Sequence, residues 1–178
     1  MTIEDLKIKD KSFSETDFIS KVDNTYIMLL SSIINQNLDR IKHKLSNKLY
    51  ERYSIVIKKL KANNEKQLYD ELNVKSTQII DIDETDNEYI IKVLLISRYM
   101  DYKIDLNTNM YKSGINDHRI EINNYLTFTK FKSTKNEDIV KYCPGCGGNI
   151  DSNNTGVCKY CGSIYNTKDY DWILSDLK

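Results

Sequence analysis

Apolar residues recur at three- and four-residue spacing through Phe18, Val22, Tyr26, Leu29, Leu30 and Ile33, the period of a helix with one buried face. Ser12 and Glu15 form a capping-box pattern ahead of that run, and Asp17 adds negative charge to the first turn. A helix of about six turns is therefore expected from Ser12 to the region of Asn35 to Asn37, long enough to cover one face of a sheet. A second apolar stripe runs through Leu38, Ile41, Leu45, Leu49, Tyr53, Val56 and Leu60. Ser46 and Asn47 suit a cap inside it, which divides the stripe into a short helix and a longer one. Met1 to Lys11 alternates charge without a period and reads as a loose arm.

Beyond Asn63 and Asn64 the period shortens. Leu68, Tyr69 and Leu72 read as the close of a helical or turn segment, and Val74, Ile80 and Ile82 share the parity of a strand that ends in the polar run from Asp83 to Asn87. Tyr89 to Met100 is the most strand-like stretch: Ile90, Leu94 and Ile96 fall on one face, Ile91, Val93 and Leu95 on the other. Helices can cover one of those faces, and the other needs a cavity, a partner or the curl of the sheet. Tyr102 to Leu106 prolongs this strand or begins the next, Ser113 to His118 has the composition of a loop, and a last strand runs from Arg119 to Lys132 with a bulge expected at Asn123 and Asn124. Three helices followed by three strands predict an α+β fold with the helices packed on an antiparallel sheet.

All four cysteines lie between Lys141 and Tyr165, as two C-x-x-C pairs, Cys143 with Cys146 and Cys158 with Cys161, each followed by glycine. Two such turns supply four soft thiolates, the tetrahedral set that Zn²⁺ prefers, and leave no coordination position open for water or substrate. The expected cofactor is thus a structural zinc ion in a zinc ribbon. Two disulfides or four free thiols are the alternatives, but MTIEDLKIKD is polar and lacks the apolar core of an export signal that a disulfide scaffold needs. A reducing, cytoplasmic setting follows as the expectation.

The chain has 178 residues and a formal net charge of zero, which argues against wholesale nucleic-acid binding. From Lys141 to Lys178 four lysines are offset by four aspartates, so the ribbon itself is neutral. Tyr160, Ile164, Tyr165 and Tyr170 with Trp172, Ile173 and Leu174 give the ribbon an apolar surface, and the tail from Asp169 either docks back or pairs with a second subunit as a homo-oligomer. No window approaches the roughly 18 apolar residues of a membrane span.

Charge is uneven along the chain. Between Leu38 and Lys61 eight Lys or Arg face two acids, and the basic side of this stripe ends in Lys58, Lys59 and Lys61. An apolar stripe beneath a basic face suits either the protein core or an anionic membrane surface, with the core the stronger reading. His43 falls off the stripe and is expected to be solvated. For an enzymatic pocket, Asp101 and Asp105 with Arg98 or Tyr99 are the candidates, each more readily read as a surface charge or a core tyrosine. His118 reads as a surface residue.

The runs LYDELNVKSTQIIDI, VLLISRYMDYKIDL and NYLTF, with the terminal CPGCGGNI and CKYCGSIYN, resemble bacterial proteins that join a Tim-forty-four-like domain to a C-terminal zinc ribbon. That family is named for a mitochondrial inner-membrane translocase scaffold and belongs to the cone-shaped, nuclear-transport-factor-two-like superfamily. The resemblance implies a curved antiparallel sheet wrapped by N-terminal helices around an apolar pocket that holds a ligand. It also implies a non-enzymatic scaffold that docks to a protein partner or peripherally to anionic lipid through Phe18 to Leu60, where Lys58, Lys59 and Lys61 lie. The same superfamily includes isomerase- and dehydratase-like pockets, the alternative function; a nucleic-acid-binding zinc ribbon is a further one. The expected division is an arm over 1–11, the α+β domain over 12–135, the ribbon over 141–165 and a tail over 166–178.

Overall fold

The structure, a computed structural model, describes residues 1–132, 158, 160, 162 and 171–178. Three of the four cysteines, Cys143, Cys146 and Cys161, and most of the expected ribbon lie outside the described residues. Among the described residues three α-helices pack on a four-stranded antiparallel sheet of order β1-β2-β3-β4. The helices are α1 (Ile3–Lys9), α2 (Glu15–Ile34) and α3 (Asn47–Ala62), with a 3₁₀ turn at Lys42–Lys44. The strands are β1 (Glu65–Glu84), β2 (Glu88–Asp105), β3 (Tyr111–Phe131) and β4 (Ile173–Leu177).

The expected loose arm is a helix. Thr2 and Asp5 close a reciprocal capping box at its start, and Leu6 in its middle is fully buried. One well-placed apolar residue per two turns is too sparse to register as a period, which is why the sequence hid it. The cap of α2 is Ser14, whose hydroxyl accepts from the Asp17 amide at 3.3 Å, while Ser12 instead bonds the Asp10 carboxylate. Ser46 caps α3 as expected, accepting from the Leu49 amide at 3.2 Å. On α3 the buried positions are Leu49, Ile57 and Leu60, so Ile57 takes the place expected for Val56.

The sheet is longer than its hydrophobic pattern suggests. Leu68 to Leu72 belongs to β1, and Ser113 to His118 belongs to β3. β1 carries three register shifts against β2, between Asp70 and Asn73, Val74 and Ser76, and Ile79 and Asp81, and each resets the parity that a sequence reader relies on. No bulge falls at Asn123 and Asn124: pairing runs unbroken from Glu88 opposite Phe131 to Tyr99 opposite Ile120. Gly114 sits at φ 105° against β2, where a Cβ would lie 2.3 Å from the Asp101 carbonyl oxygen.

The core lies between the helices and one sheet face. Ile91, Val93 and Leu95 of β2, Leu126 and Phe128 of β3 and Leu174 of β4 meet Phe18, Val22, Tyr26, Leu29 and Ile33 of α2. At the end where β4 enters, Trp172 stands edge-on to Phe13 (centroids 6.1 Å apart) and Phe18 (5.3 Å), and Phe18 stands edge-on to Phe128 (5.6 Å). Each such ring is worth about 3–5 kcal/mol against truncation to alanine. Polar contacts fasten the same strand and its approach to α2, to α3 and to the turn between them. Lys21 of α2 pairs with Asp171, the Ser46 amide donates to the Leu174 carbonyl at 2.9 Å, and Arg52 of α3 reaches the Asp176 carboxylate at 2.7 Å and the Leu177 carbonyl at 2.9 Å. The tail therefore docks back on its own chain. On the opposite face of the sheet Ile90, Leu94 and Ile96 are half-buried, and Tyr125 is exposed.

Candidate docking surface and buried polar cluster

Helix α3 turns Leu49, Ile57 and Leu60 inward, with Tyr53 partly buried against the core. The side it presents to solvent carries Lys48, Lys58, Lys59 and Lys61, all exposed, and two exposed apolar residues among them, Ile55 (53 %) and Val56 (37 %). Lys59 and Lys61 fall in the last turn, where their charge complements the negative end of the helix dipole. Among the described residues none of Lys58, Lys59 and Lys61 has an ion-pair partner, whereas Arg52 is held by Asp176. Lys42 lies over the Tyr50 ring, 5.1 Å from its centroid. The three lysines singled out from sequence thus share one open surface, and the inner stripe of the same helix is core.

Nearby basic groups behave differently. Burial holds the Lys44 ammonium below its ordinary range, with Lys21 adding repulsion. His43 is half-buried rather than solvated, and burial followed by the Lys44 charge lowers its pKa and favours the neutral ring. His118 is exposed beside Asp117, Nδ1 to carboxylate 2.7 Å, in agreement with a surface residue.

Of the residues considered for catalysis, the fold keeps Tyr99 and Asp101 on one face and separates Arg98 and Asp105 from them. Tyr99 and Asp101 project to the helix-covered face, where Asp101 accepts from Gln67 Nε2 at 2.7 Å and the Tyr69 and Tyr99 rings meet edge-on at 5.2 Å. Arg98 has the opposite parity, and its Nε is buried without a hydrogen-bond partner among the described residues. Asp105 ends β2 at the β2–β3 turn, where it accepts from the Asn107 and Thr108 amides at 2.9 and 3.0 Å; these bonds depress its pKa.

Above Tyr99 lies a polar seam that sequence reading missed. Tyr26 donates to Asn124 Oδ1 at 3.3 Å and shares a 2.9 Å hydrogen bond with Ser97 Oγ, while Asn124 Nδ2 donates to Ser97 Oγ at 3.0 Å and to the Leu95 carbonyl at 3.1 Å. Ser97 and Asn124 were recognisable as polar residues at buried-parity positions of otherwise apolar strands. Burial raises the pKa of Tyr26, Tyr69 and Tyr99. These phenols keep their protons, and the Tyr26 hydroxyl bonds Ser97 and Asn124, so the seam specifies how α2 sits on the sheet. A cavity of about 460 Å³ opens elsewhere, along the outer side of α2, with Ile27, Met28, Ser31, Asn35 and Arg40 among its walls.

Compared with known protein families, residues 1–139 match the model described as the Tim44-like domain. The chain matches no curated protein. The matched stretch takes in α1 to β3 and stops before the first cysteine and before β4.

The surroundings of Asp101 give a prediction with a definite sign. Burial raises its pKa against the opposing Gln67 hydrogen bond and Lys103 charge. In the window between the unfolded and folded pKa the native state therefore holds more protons, and stability falls as pH rises through it. Asp101→Asn keeps an oxygen for Gln67 and removes the penalised charge. Its thermal midpoint at pH 7 should equal or exceed that of the parent, the gap closing below about pH 4, where the aspartate is protonated in both states. A midpoint several degrees lower at pH 7 would contradict this reading.

Proposed function

The chain belongs to the Tim44-like domain family, and from that premise we propose that it is a non-enzymatic docking or scaffold protein that works peripherally at an anionic membrane surface, in contact with a protein partner and linked to protein transport. The observation that carries this reading is the outward face of α3, where Lys58, Lys59 and Lys61 are exposed beside Ile55 and Val56. Cations drawn to anionic headgroups, with apolar side chains between them, are what an interfacial helix requires. Among the described residues no helix is long and apolar enough to cross a membrane, so contact through a surface is the mode these helices offer. The separation of Arg98 and Asp105 from Asp101 favours docking over an isomerase- or dehydratase-like reaction.

The second part of the proposal is a structural zinc ion held by Cys143, Cys146, Cys158 and Cys161 in a ribbon over 141–165. The donor set supports it: four thiolates in two C-x-x-C pairs satisfy tetrahedral Zn²⁺ completely. Cys158 is buried at 4 % exposure, and it and the fully buried Ile173 both stand outside the core cluster beneath the helices, as members of a second small nucleus would. Bound zinc would supply cross-linking of the four cysteines. The cysteine segment leaves from β3 and returns at β4, which pair at Thr129 and Ile173, so the ribbon is an insert anchored at both ends. The domain is then the body from α1 to β3 completed by β4, with the ribbon between the last two strands.

Two measurements test these parts separately. In flotation with vesicles of neutral or anionic lipid, the protein should rise with the anionic vesicles alone. Each lysine near such a surface contributes about 1 kcal/mol, so reversing Lys58, Lys59 and Lys61 to Glu should weaken partitioning by about a hundredfold or more. Unchanged flotation would remove the lipid reading. Metal analysis of freshly purified protein should return one zinc per chain, and stripping it should shift Trp172 emission to the red, because Trp172 sits where the cysteine segment rejoins the sheet. Protein purified without zinc would end the ribbon proposal.

A further inference from the structure

The tip of the β2–β3 hairpin, the turn with the first residues of β3, is exposed without interruption from Leu106 to Gly114, and it carries three large apolar side chains: Leu106 at 40 %, Met110 at 69 % and Tyr111 at 52 % exposure. A loose loop can expose such residues by default. This turn is not loose. The Asp105 amide donates to the Met110 carbonyl at 2.8 Å, the Asn109 amide donates to the Asp105 carbonyl at 2.9 Å, and the Asp105 carboxylate accepts from the next two free amides. Asn109 completes the reversal at φ 58°, a conformation asparagine tolerates. Leu106 and Met110 are thus displayed from a built support.

The tip is also joined to the basic end of α3. The Leu106 amide donates to the Asn64 carbonyl at 3.0 Å, and Lys112 Nζ donates to the Asn63 carbonyl at 3.3 Å, directly after the last helical turn with Lys59 and Lys61. Lys66, opposite Ile104, and Lys103 flank the hairpin. Glu65 is shared by Lys103 (3.3 Å) and Lys112 (3.5 Å), and Asp105 is a second carboxylate in the same hairpin, so these two acids stand against the ammonium groups of Lys59, Lys61, Lys66, Lys103 and Lys112. An apolar tip is therefore ringed by excess positive charge.

We infer that this hairpin tip is the apolar anchor of the membrane contact: Leu106, Met110 and Tyr111 enter the headgroup layer of an anionic membrane while the surrounding lysines meet its phosphates. The inference rests on the membrane reading of α3 and adds the element that fixes how the body stands on the surface. A convex turn with three apolar side chains suits a deformable lipid layer. A stable protein interface requires about 800 Å² from each partner, which so narrow a tip does not offer. The charge is complementary to anionic lipid, and the attachments to Asn63 and Asn64 place tip and helix end on one side of the molecule.

The test uses the full chain, whose one native tryptophan, Trp172, is buried in the core. Met110→Trp adds a reporter at the tip. With anionic vesicles containing brominated phosphatidylcholine, the added emission should shift to the blue and be quenched, while wild-type emission stays unchanged. Leu106→Ser combined with Met110→Ser should weaken vesicle partitioning by about tenfold or more at an unaltered thermal midpoint. Vesicle binding without blue shift or quenching in Met110→Trp would overturn the anchor and leave the α3 reading standing. Failure of the wild-type protein to bind anionic vesicles at all would overturn both.

Discussion

The fold depends on one strand coming home. β4 is five residues long, yet it completes the sheet beside β3 and places Leu174 against Phe128. The residue before it, Trp172, seals the end of the core against Phe13 and Phe18. The polar contacts from Lys21, Ser46 and Arg52 then attach the same strand to both long helices and to the turn between them. A short edge strand has little cohesion of its own, since four ladder pairs cannot offset the entropy of ordering it. Its stability comes from the aromatic seal and the helix contacts, which exist only while it is paired. Sheet completion and core closure are for that reason one cooperative event.

This dependence explains what could be read from sequence and what could not. The period of α2, the Ser46 cap of α3 and the double-faced β2 are local patterns with a single physical meaning, and they emerge as expected. Leu6 was lost because its burial comes from tertiary contact and not from the period of its own helix. The length of β1 was hidden by three bulges, since each moves the apolar residues to the other parity. Residues 113–118 looked like a loop because strand pairing there is maintained with few buried side chains. Pattern reading sees burial, and an exposed hairpin has almost none.

The candidate site divides along the same line. Lys58, Lys59 and Lys61 were legible because a run of like charge on a helix surface needs no tertiary information. The seam of Tyr26, Ser97 and Asn124 was not, since these residues lie 27 to 98 positions apart and meet only across the layers. The exposed tip at Leu106 to Tyr111 was passed over because its meaning comes from Asn63 and Asn64 beside it, the end of a different element. Its family membership covers α1 to β3, whereas the strand that closes the structure lies outside the matched stretch. The cysteine pairs fall between the two. Any force that orders or loosens that segment acts at the point where the body is sealed.

Native-state hydrogen exchange on the full chain tests this dependence most directly. If β4 is part of one cooperative unit, the Lys178 amide, which donates to the Tyr125 carbonyl, and its partner amide at Tyr125 should exchange only through global unfolding. Their protection should then equal that of the central strand β2 and fall with it, in parallel, as denaturant is added. Exchange at Lys178 and Tyr125 through local opening, with β2 still fully protected, would show that the body is complete without its last strand and contradict the account.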